Sequence, residues 1–162
     1  MRLLALVIFV MVSVAANAQT FPQTFPPGVF PTRITPLIFN GTDLAGWKVE
    51  YTKADVLDGA VHVGSGNGWV RTEGAYADFL LTMDVKLDPK AQAGIFVRAW
   101  PTFNDRQSPT NGYRLTLKPK ATSDDWTHLE VECVGRTITV RADGAVVYMA
   151  DALENPQGHV AL

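Results

Sequence analysis

Apolar and polar side chains alternate regularly between residues 79 and 86. Phe79, Leu81 and Met83 fall on one side, and Thr82 and Asp84 fall on the other. Successive side chains of a β-strand point to opposite faces, so this period of two predicts a strand with one buried and one solvated face. No window of the chain keeps a helical stripe beyond two turns. The pattern therefore indicates a protein built from half-buried strands.

The same alternation recurs in three later segments, and turn signals separate them. The segments are residues 113–118, 128–133 and 137–141. Gly135 and the pair Asp143-Gly144 tolerate positive φ, which predicts two hairpins and a meander from residue 127 to residue 151. A stretch of about 125 residues suffices for one core but not for two. We therefore expect one all-β domain over residues 36–162, folded as a single antiparallel β-sandwich.

The first 35 residues do not follow this pattern. Arg2 precedes an apolar run, and the small residues Ala16 and Ala18 suit cleavage after Ala18, so residues 1–18 are typical of a secretory signal peptide. Residues 19–35 are rich in proline and are interpreted as an arm or linker. The apolar run is shorter than the roughly 20 residues that a membrane-spanning helix needs. We expect a secreted or periplasmic protein without membrane insertion.

Composition narrows the range of partners. The chain carries 14 basic and 16 acidic residues, and its formal net charge of −2 becomes −3 once Arg2 leaves with the signal peptide. This balance argues against a nucleic-acid partner, which requires a basic stripe. Cys133 is the sole cysteine, so an intrachain disulfide is impossible. Its phase with Leu129 and Val131 favours a buried thiol over a nucleophile.

Several motifs occur in an order that resembles a known family. They are LIFNGTDLAGW at residues 37–47, WVRT at 69–72, YADFLLTMDVKL at 76–87 and GIFVR at 94–98, followed by a strand that begins at Gly112-Tyr113 and by Asp143-Gly144 in a late hairpin. This order is similar to that of the 3-keto-disaccharide hydrolase domain family, over nearly all of residues 36–162. The resemblance implies a concanavalin A-like jelly roll. It also implies action on glucosides oxidised at C3, whose ketone acidifies the neighbouring hydrogen.

Outward side chains of three predicted strands indicate a ligand site. If the alternation holds, Asp84, Arg98, Trp100, Arg114 and Thr116 share one outer surface. Carboxylate and guanidinium groups bind sugar hydroxyls, while an aromatic ring packs against the C–H face of a sugar. We therefore predict a carbohydrate site with Asp84 as the catalytic residue and the other four as substrate-binding residues. The alternative is that Asp84, Arg98 and Arg114 form a solvated cross-strand charge ladder that contributes little.

Two positions depart from the family pattern. Family members usually have Ser where this chain has Ala93, and an acidic residue where this chain has Arg114. Arginine stays protonated and cannot act as a general acid or base. Asp84 then lacks the acidic partner of a two-carboxylate glycosidase. It acts either as a single base beside an activated ketone or only in binding.

No metal or cofactor is predicted. His62, His128 and His159 lie far apart, without the spacings of zinc sites, and there is no glycine-rich phosphate loop. Residues 158–162 begin a strand, whereas the resembling family continues through another one, so we expect a sandwich that lacks its last strand. An incomplete sheet leaves an edge that is prone to association. The oligomeric state is not predicted.

Two functions are consistent with these features. The first is a secreted hydrolase that acts on glycosidic bonds of 3-keto-glucosides or related saccharides. The alternative is a noncatalytic carbohydrate-binding or surface module, and the missing acidic partner of Asp84 is the feature that favours it.

Overall fold

The computed structural model describes residues 6–9, 37–64, 68–88, 91, 93–101, 111–117 and 126–162. All regular secondary structure in these ranges is β-strand. The strands are β1 (Leu6–Phe9), β2 (Trp47–Glu50), β3 (Ala54–Leu57), β4 (Ala60–Val63), β5 (Trp69–Thr72), β6 (Phe79–Lys86), β7 (Ala93–Ala99), β8 (Tyr113–Leu117), β9 (Thr127–Val134), β10 (Thr137–Ala142), β11 (Ala145–Asp151) and β12 (His159–Ala161). The described ranges contain no helix with the length and apolar character needed to cross a membrane.

The larger of two sheets has seven strands in the order β11-β10-β9-β6-β1-β4-β3. Strands β9, β10 and β11 form the meander predicted over residues 127–151, and their pairing is antiparallel. In the second turn, Asp143 has φ of 48° and Gly144 has φ of 82°. A two-residue hairpin turn of this kind requires positive φ at both positions. The predicted hairpins are therefore confirmed.

The smaller sheet has five strands in the order β2-β5-β12-β7-β8. The chain passes from β5 in this sheet to β6 in the larger sheet and then back to β7. The last strand, β12, lies between β5 and β7, and reciprocal backbone hydrogen bonds between Tyr76 and Gly158 fasten the segment before it. The consecutive strands β5, β6 and β7 thus alternate between the two layers.

The main hydrophobic core fills the space between the two sheets, and a smaller buried cluster of Trp69, Ala99 and Ala161 lies apart from it. The inward side chains of the main core follow the predicted alternation: Phe79, Leu81, Met83 and Val85 of β6 are each at most 4% exposed. Strand β7 contributes Ile95 and Val97, β9 contributes Leu129, Val131 and Cys133, and β12 contributes Val160. The prediction of a single antiparallel β-sandwich of the jelly-roll type is confirmed.

Strand β1 comes from the segment that the sequence predicts to be a signal peptide. The backbone of Ile8 pairs with Val61 of β4 on one side and with Val85 of β6 on the other. This segment therefore completes the seven-stranded sheet at an interior position. The predicted cleavage site after Ala18 and the arm at residues 19–35 lie outside the described residues.

Candidate functional site

The five predicted site residues do not share one surface. Asp84 lies on β6 in the seven-stranded sheet, whereas Arg114 and Thr116 lie on β8 in the five-stranded sheet. Trp100 directly follows β7 in that second sheet. The prediction of one contiguous platform is wrong because β6 and β7, although consecutive in sequence, belong to opposite layers. Arg98, Trp100, Arg114 and Thr116 are brought to the same sheet, but Arg98 is buried there.

Arg98 is a buried structural residue and does not face solvent. Its φ of 50° interrupts the alternation of β7, and its side chain is 2% exposed. Its guanidinium donates hydrogen bonds to the carbonyls of Ala77, Gly135 and Asn155 at 2.6–3.1 Å and to Asp78 Oδ1 at 2.9 Å. The expectation that Arg98 binds a saccharide is therefore wrong, because its donors are committed to the protein.

Gly158 packs its backbone directly against the backbone of Arg98. A Cβ atom at position 158 would lie 2.4 Å from the carbonyl carbon of Arg98, so only glycine permits this backbone approach. The side-chain amide of Asn155 donates to the Arg98 carbonyl oxygen at 2.9 Å. Arg98 thus joins the end of the five-stranded sheet to the β9–β10 turn of the opposite sheet.

The outer surface around Asp84 carries a ladder of paired charges. Asp84 Oδ1 lies 2.8 Å from His128 Nδ1, and both side chains are partly exposed. On the neighbouring strands, the Arg141 guanidinium lies 3.5 Å from Glu132 and 4.0 Å from Glu130. These residues face each other across β6, β9 and β10. Asp84 thus lies in a solvated cross-strand ladder, as the alternative interpretation expected, but its partner is His128, and neither Arg98 nor Arg114 takes part.

The outward face of the five-stranded sheet, which we call the five-stranded face, has a different character. One row of directly paired residues crosses all five strands. In order, this cross-sheet row consists of Lys48, Arg71, Ala161, Phe96 and Arg114. Paired residues of an antiparallel sheet project to the same side, so these side chains share one surface. Ala161, at the middle of the row, is fully buried and contributes only a methyl group.

A carboxylate and a guanidinium meet at one end of the five-stranded face. Glu50 Oε1 accepts two hydrogen bonds from Arg71, at 3.1 Å from Nε and 2.9 Å from Nη2. The Arg71 guanidinium also lies 5.8 Å from the ring centroid of Trp69 and donates to the Thr72 carbonyl. Both Arg71 and Trp69 are buried. Glu50 is the single acidic residue within the five strands of this sheet.

A second group occupies the other end of the five-stranded face. The guanidinium of Arg114 lies 5.8 Å from the ring centroid of Phe96. Gly94 makes this position possible, because a Cβ there would lie 2.9 Å from the Leu115 carbonyl oxygen and 3.1 Å from Arg114 Nε. Thr116 pairs with Gly94 and projects to the same side as Arg114. The result is an exposed cation and a hydroxyl beside a half-buried aromatic ring.

Trp100 lies at the end of the same sheet. Its indole Nε1–H donates to the Gln157 carbonyl at 2.9 Å, and its ring packs edge-on against His159 with centroids 5.0 Å apart. His159 is buried, and its Nδ1 lies 3.0 Å from the Gly74 carbonyl. Since a carbonyl accepts, Nδ1 carries the proton in this contact. Trp100 remains 38% exposed, so a fixed aromatic surface is available here.

Sequence reasoning missed Glu50, Arg71 and Trp69. The segment WKVE alternates apolar and charged residues, and WVRT carries one arginine after two apolar residues, which is the available signal. That signal cannot pair Glu50 with Arg71, because the register of β2 against β5 arises only when the sheet forms. Without that register, Asp84 was the more visible carboxylate.

The described residues show no metal cluster that would mark a different site. No group of three or more His, Cys, Asp or Glu side chains in these ranges could hold a metal ion. A cavity of about 490 Å³ lies between the sheets; apolar residues such as Val85, Ile95 and Leu129 form most of its lining, and Tyr113, Arg114, Thr116 and Tyr148 also border it. Saccharides require convergent polar groups. The five-stranded face therefore carries the better set of polar and aromatic groups for a saccharide.

A family model covers more than half of this chain. Residues 35–123 match the model of the 3-keto-alpha-glucoside-1,2-lyase-like domain. The chain belongs to this family. The resemblance to the 3-keto-disaccharide hydrolase domain is thereby confirmed, and the protein is a carbohydrate-related β-sandwich domain. None of the curated proteins matches the chain significantly.

Solved structures that share the fold include the following two. One is a candidate glycosyl hydrolase from Parabacteroides distasonis ATCC 8503, with 16% identity, a TM-score of 0.65, and coverage of 78% of this chain and 85% of that chain. The other is the carbohydrate binding module CBM66 from Bacillus subtilis, with 15% identity, a TM-score of 0.54, and coverage of 78% of this chain and 89% of that chain. At these identities, the likeness concerns the fold alone.

Proposed function

We propose that this protein is an enzyme that cleaves the glycosidic bond of 3-keto-glucosides on its five-stranded face. The observation that carries the proposal is the pair formed by Glu50 and Arg71. This pair sets one carboxylate beside a buried guanidinium on a surface that also bears aromatic rings. Membership of the 3-keto-alpha-glucoside-1,2-lyase-like family supplies the substrate class.

One carboxylate is sufficient for this chemistry. A ketone at C3 acidifies the hydrogen on C2, so a carboxylate can remove that proton and leave an enolate on the C3 oxygen. The C3 carbonyl then re-forms, the electrons of the enolate double bond form a C1–C2 double bond, and the C1–O bond breaks. The departing oxygen takes up a proton and leaves as the free alcohol. Addition of water across the double bond completes a net hydrolysis. A two-carboxylate displacement is not required.

The residues of the site fit these steps. Glu50 would act as the base, because Arg71 bonds only its Oε1 and no described group bonds Oε2. Arg71 would donate to the enolate oxygen, since one N–H on each of its Nη atoms is not used by a described acceptor. A cation placed where negative charge develops stabilises that state more than the ketone itself. Glu50 and Arg71 thus divide proton removal and charge stabilisation between them.

The test is release of a chromogenic aglycone from a 3-keto-glucoside. Purified protein should release it, and Glu50→Gln should lower the rate by at least about a hundredfold because amide cannot accept the proton. Glu73→Gln is the matched control, because Glu73 lies in the turn after β5 and, among the described residues, its hydrogen bond is a backbone one to the Gly46 carbonyl. Full activity of Glu50→Gln would overturn the assignment. The same assay repeated with a chelator reports whether a metal ion contributes to the rate of release.

The second candidate function is noncatalytic saccharide binding. The bond between Glu50 and Arg71 favours it, because Arg71 already occupies one oxygen of the single carboxylate in the strands of this sheet. The fold shared with the carbohydrate binding module points the same way. Saccharide affinity without release of any aglycone, measured by calorimetry, would select this function.

Secretion is the proposed location. Residues 1–18 have the features of a signal peptide, and they also contain β1, so a cleaved chain would lack this strand. The intact mass of the protein recovered from the culture medium or the periplasm distinguishes the two states. A mass that includes residues 1–18 would argue against cleavage after Ala18.

A further inference from the structure

The two outer surfaces of the sandwich carry opposite charge. The five-stranded face bears Lys48, Arg71 and Arg114 against one carboxylate, Glu50, for a formal net charge of +2. On the outer side of β6, β9 and β10, three carboxylates oppose Lys86 and Arg141. The chain as a whole is acidic, at −2. The positive surface is therefore a local feature and does not reflect the overall composition.

Arg114 is the cation of this face that is best placed for a ligand. Arg71 is buried and already neutralised by Glu50. Arg114 is exposed, and no described carboxylate forms an ion pair with it. Its recorded partner is the ring of Phe96, which holds the guanidinium beside an apolar surface. A planar guanidinium binds a carboxylate through two parallel hydrogen bonds.

Arg114 also lies far from the pair that would carry the chemistry. Four strand spacings separate β2, which carries Glu50, from β8, which carries Arg114. Neighbouring strands lie about 4.8 Å apart, so the two backbones are roughly 19 Å apart along the sheet. One sugar ring cannot contact both residues. The Phe96–Arg114 group is thus a separate subsite on the same face.

We infer that this subsite takes a saccharide unit that carries a carboxylate, a hexuronate, with Phe96 against the sugar ring and Arg114 on the carboxylate. The inference rests on the proposed function, because it assumes that the five-stranded face binds saccharides. The ligand then extends over at least two sugar units, with the reacting unit near Glu50 and the acidic unit near β8. Thr116 lies beside this unit and supplies a hydroxyl for its ring substituents.

Methyl glucuronide and methyl glucoside test the inference, since they differ only in a carboxylate at C6. Binding is measured by isothermal titration or by chemical-shift titration, at low and at high salt. The uronide should bind at least about tenfold more tightly at low salt, and the difference should shrink as salt screens the charge. Arg114→Gln should reduce uronide affinity to that of the glucoside. Arg136→Gln is the matched control, because Arg136 is exposed and lies in the β9–β10 turn.

The outcomes are distinct. Equal affinity for the two sugars overturns the acidic subsite and leaves the proposed function intact. A preference for the uronide that survives Arg114→Gln overturns the assignment to Arg114. Failure of both sugars to bind the wild-type protein overturns the subsite, and if aglycone release is also absent, the proposed function fails with it. Thermal unfolding of each variant verifies that the fold is retained.

Discussion

Arg98 and Asp78 form an ion pair of 2.9 Å between the two layers of the sandwich. Arg98 belongs to the five-stranded sheet, and Asp78 directly precedes β6 of the seven-stranded sheet. Asp78 Oδ1 also accepts a hydrogen bond from the backbone of Gly135, so it fixes the β9–β10 turn as well. The pair is a structural connection at one end of the fold and takes no part in the proposed ligand site.

Replacement of Arg98 by Lys should destabilise the fold severely. Lysine cannot reproduce the four hydrogen bonds, and the carbonyls of Ala77, Gly135 and Asn155 would lose a buried donor. The loss should be about 3 kcal/mol in the free energy of unfolding, measured by urea denaturation. Arg136→Lys, at an exposed ion pair of 3.7 Å, should change stability by less than about 1 kcal/mol. Equal stability of the two variants would contradict the structural role of Arg98.

Asp84→Asn should leave aglycone release within about twofold of the wild-type rate. Asp84 lies in the opposite sheet from Glu50, where it bonds His128 on a solvated surface. The same assay that reports on Glu50→Gln measures this rate. If Asp84→Asn abolishes release while Glu50→Gln retains it, the chemistry belongs to the seven-stranded sheet.

Cys133 should make stability fall at alkaline pH. Burial raises the pKa of the Cys133 thiol to about 12 from its ordinary 9.0 in the unfolded chain. Between pH 9 and 12 the unfolded chain loses this proton first, so the free energy of unfolding decreases by up to about 1.4 kcal/mol per pH unit. Stability from this group is complete below pH 9. Urea denaturation across this range provides the measurement.

Cys133→Ala is the control for that experiment. It removes the thiol, so the difference in slope between wild type and variant isolates the contribution of Cys133 from those of lysine and tyrosine. In the native protein, the Cys133 thiol should also react with a disulfide reagent only as fast as local unfolding exposes it. Parallel slopes in the two proteins, or rapid labelling of the native state, would be inconsistent with a buried neutral thiol.

The interior position of β1 predicts that the first residues stabilise the sheet. A chain that begins at Gln19 leaves the facing edges of β4 and β6 without a partner strand. Each lost backbone hydrogen bond costs about 1 kcal/mol, so the thermal midpoint should fall by at least about 5 °C. Differential scanning calorimetry compares this chain with the full one.

A full-length variant provides the matching test without a change in length. Ile8→Pro removes a backbone N–H in the middle of β1, where the residue pairs with Val61 and Val85. Ile8→Pro should lower the thermal midpoint, as deletion of the first 18 residues does. Unchanged midpoints in both proteins would show that β1 does not stay in the sheet.

The class of fold followed from the sequence because its causes are local. Alternation in β6 and β9 reports which side of each strand is buried, and Leu81 and Val131 both lie in the core as their phase requires. Positive φ at Asp143 and Gly144 followed from the chemistry of a two-residue turn. These features depend on residues within a few positions of one another.

The site depended on contacts that alternation does not encode. A period of two assigns a residue to a face of its own strand but not to one of two sheets, so Asp84 and Arg114 were placed together although opposite layers carry them. It also fails where the backbone departs from a regular strand, as at Arg98. The pairing of Glu50 with Arg71 across 21 positions exists only because β2 and β5 align in the folded sheet. The sequence by itself therefore determined the strands, the turns and the family, while tertiary structure decided which charged groups meet.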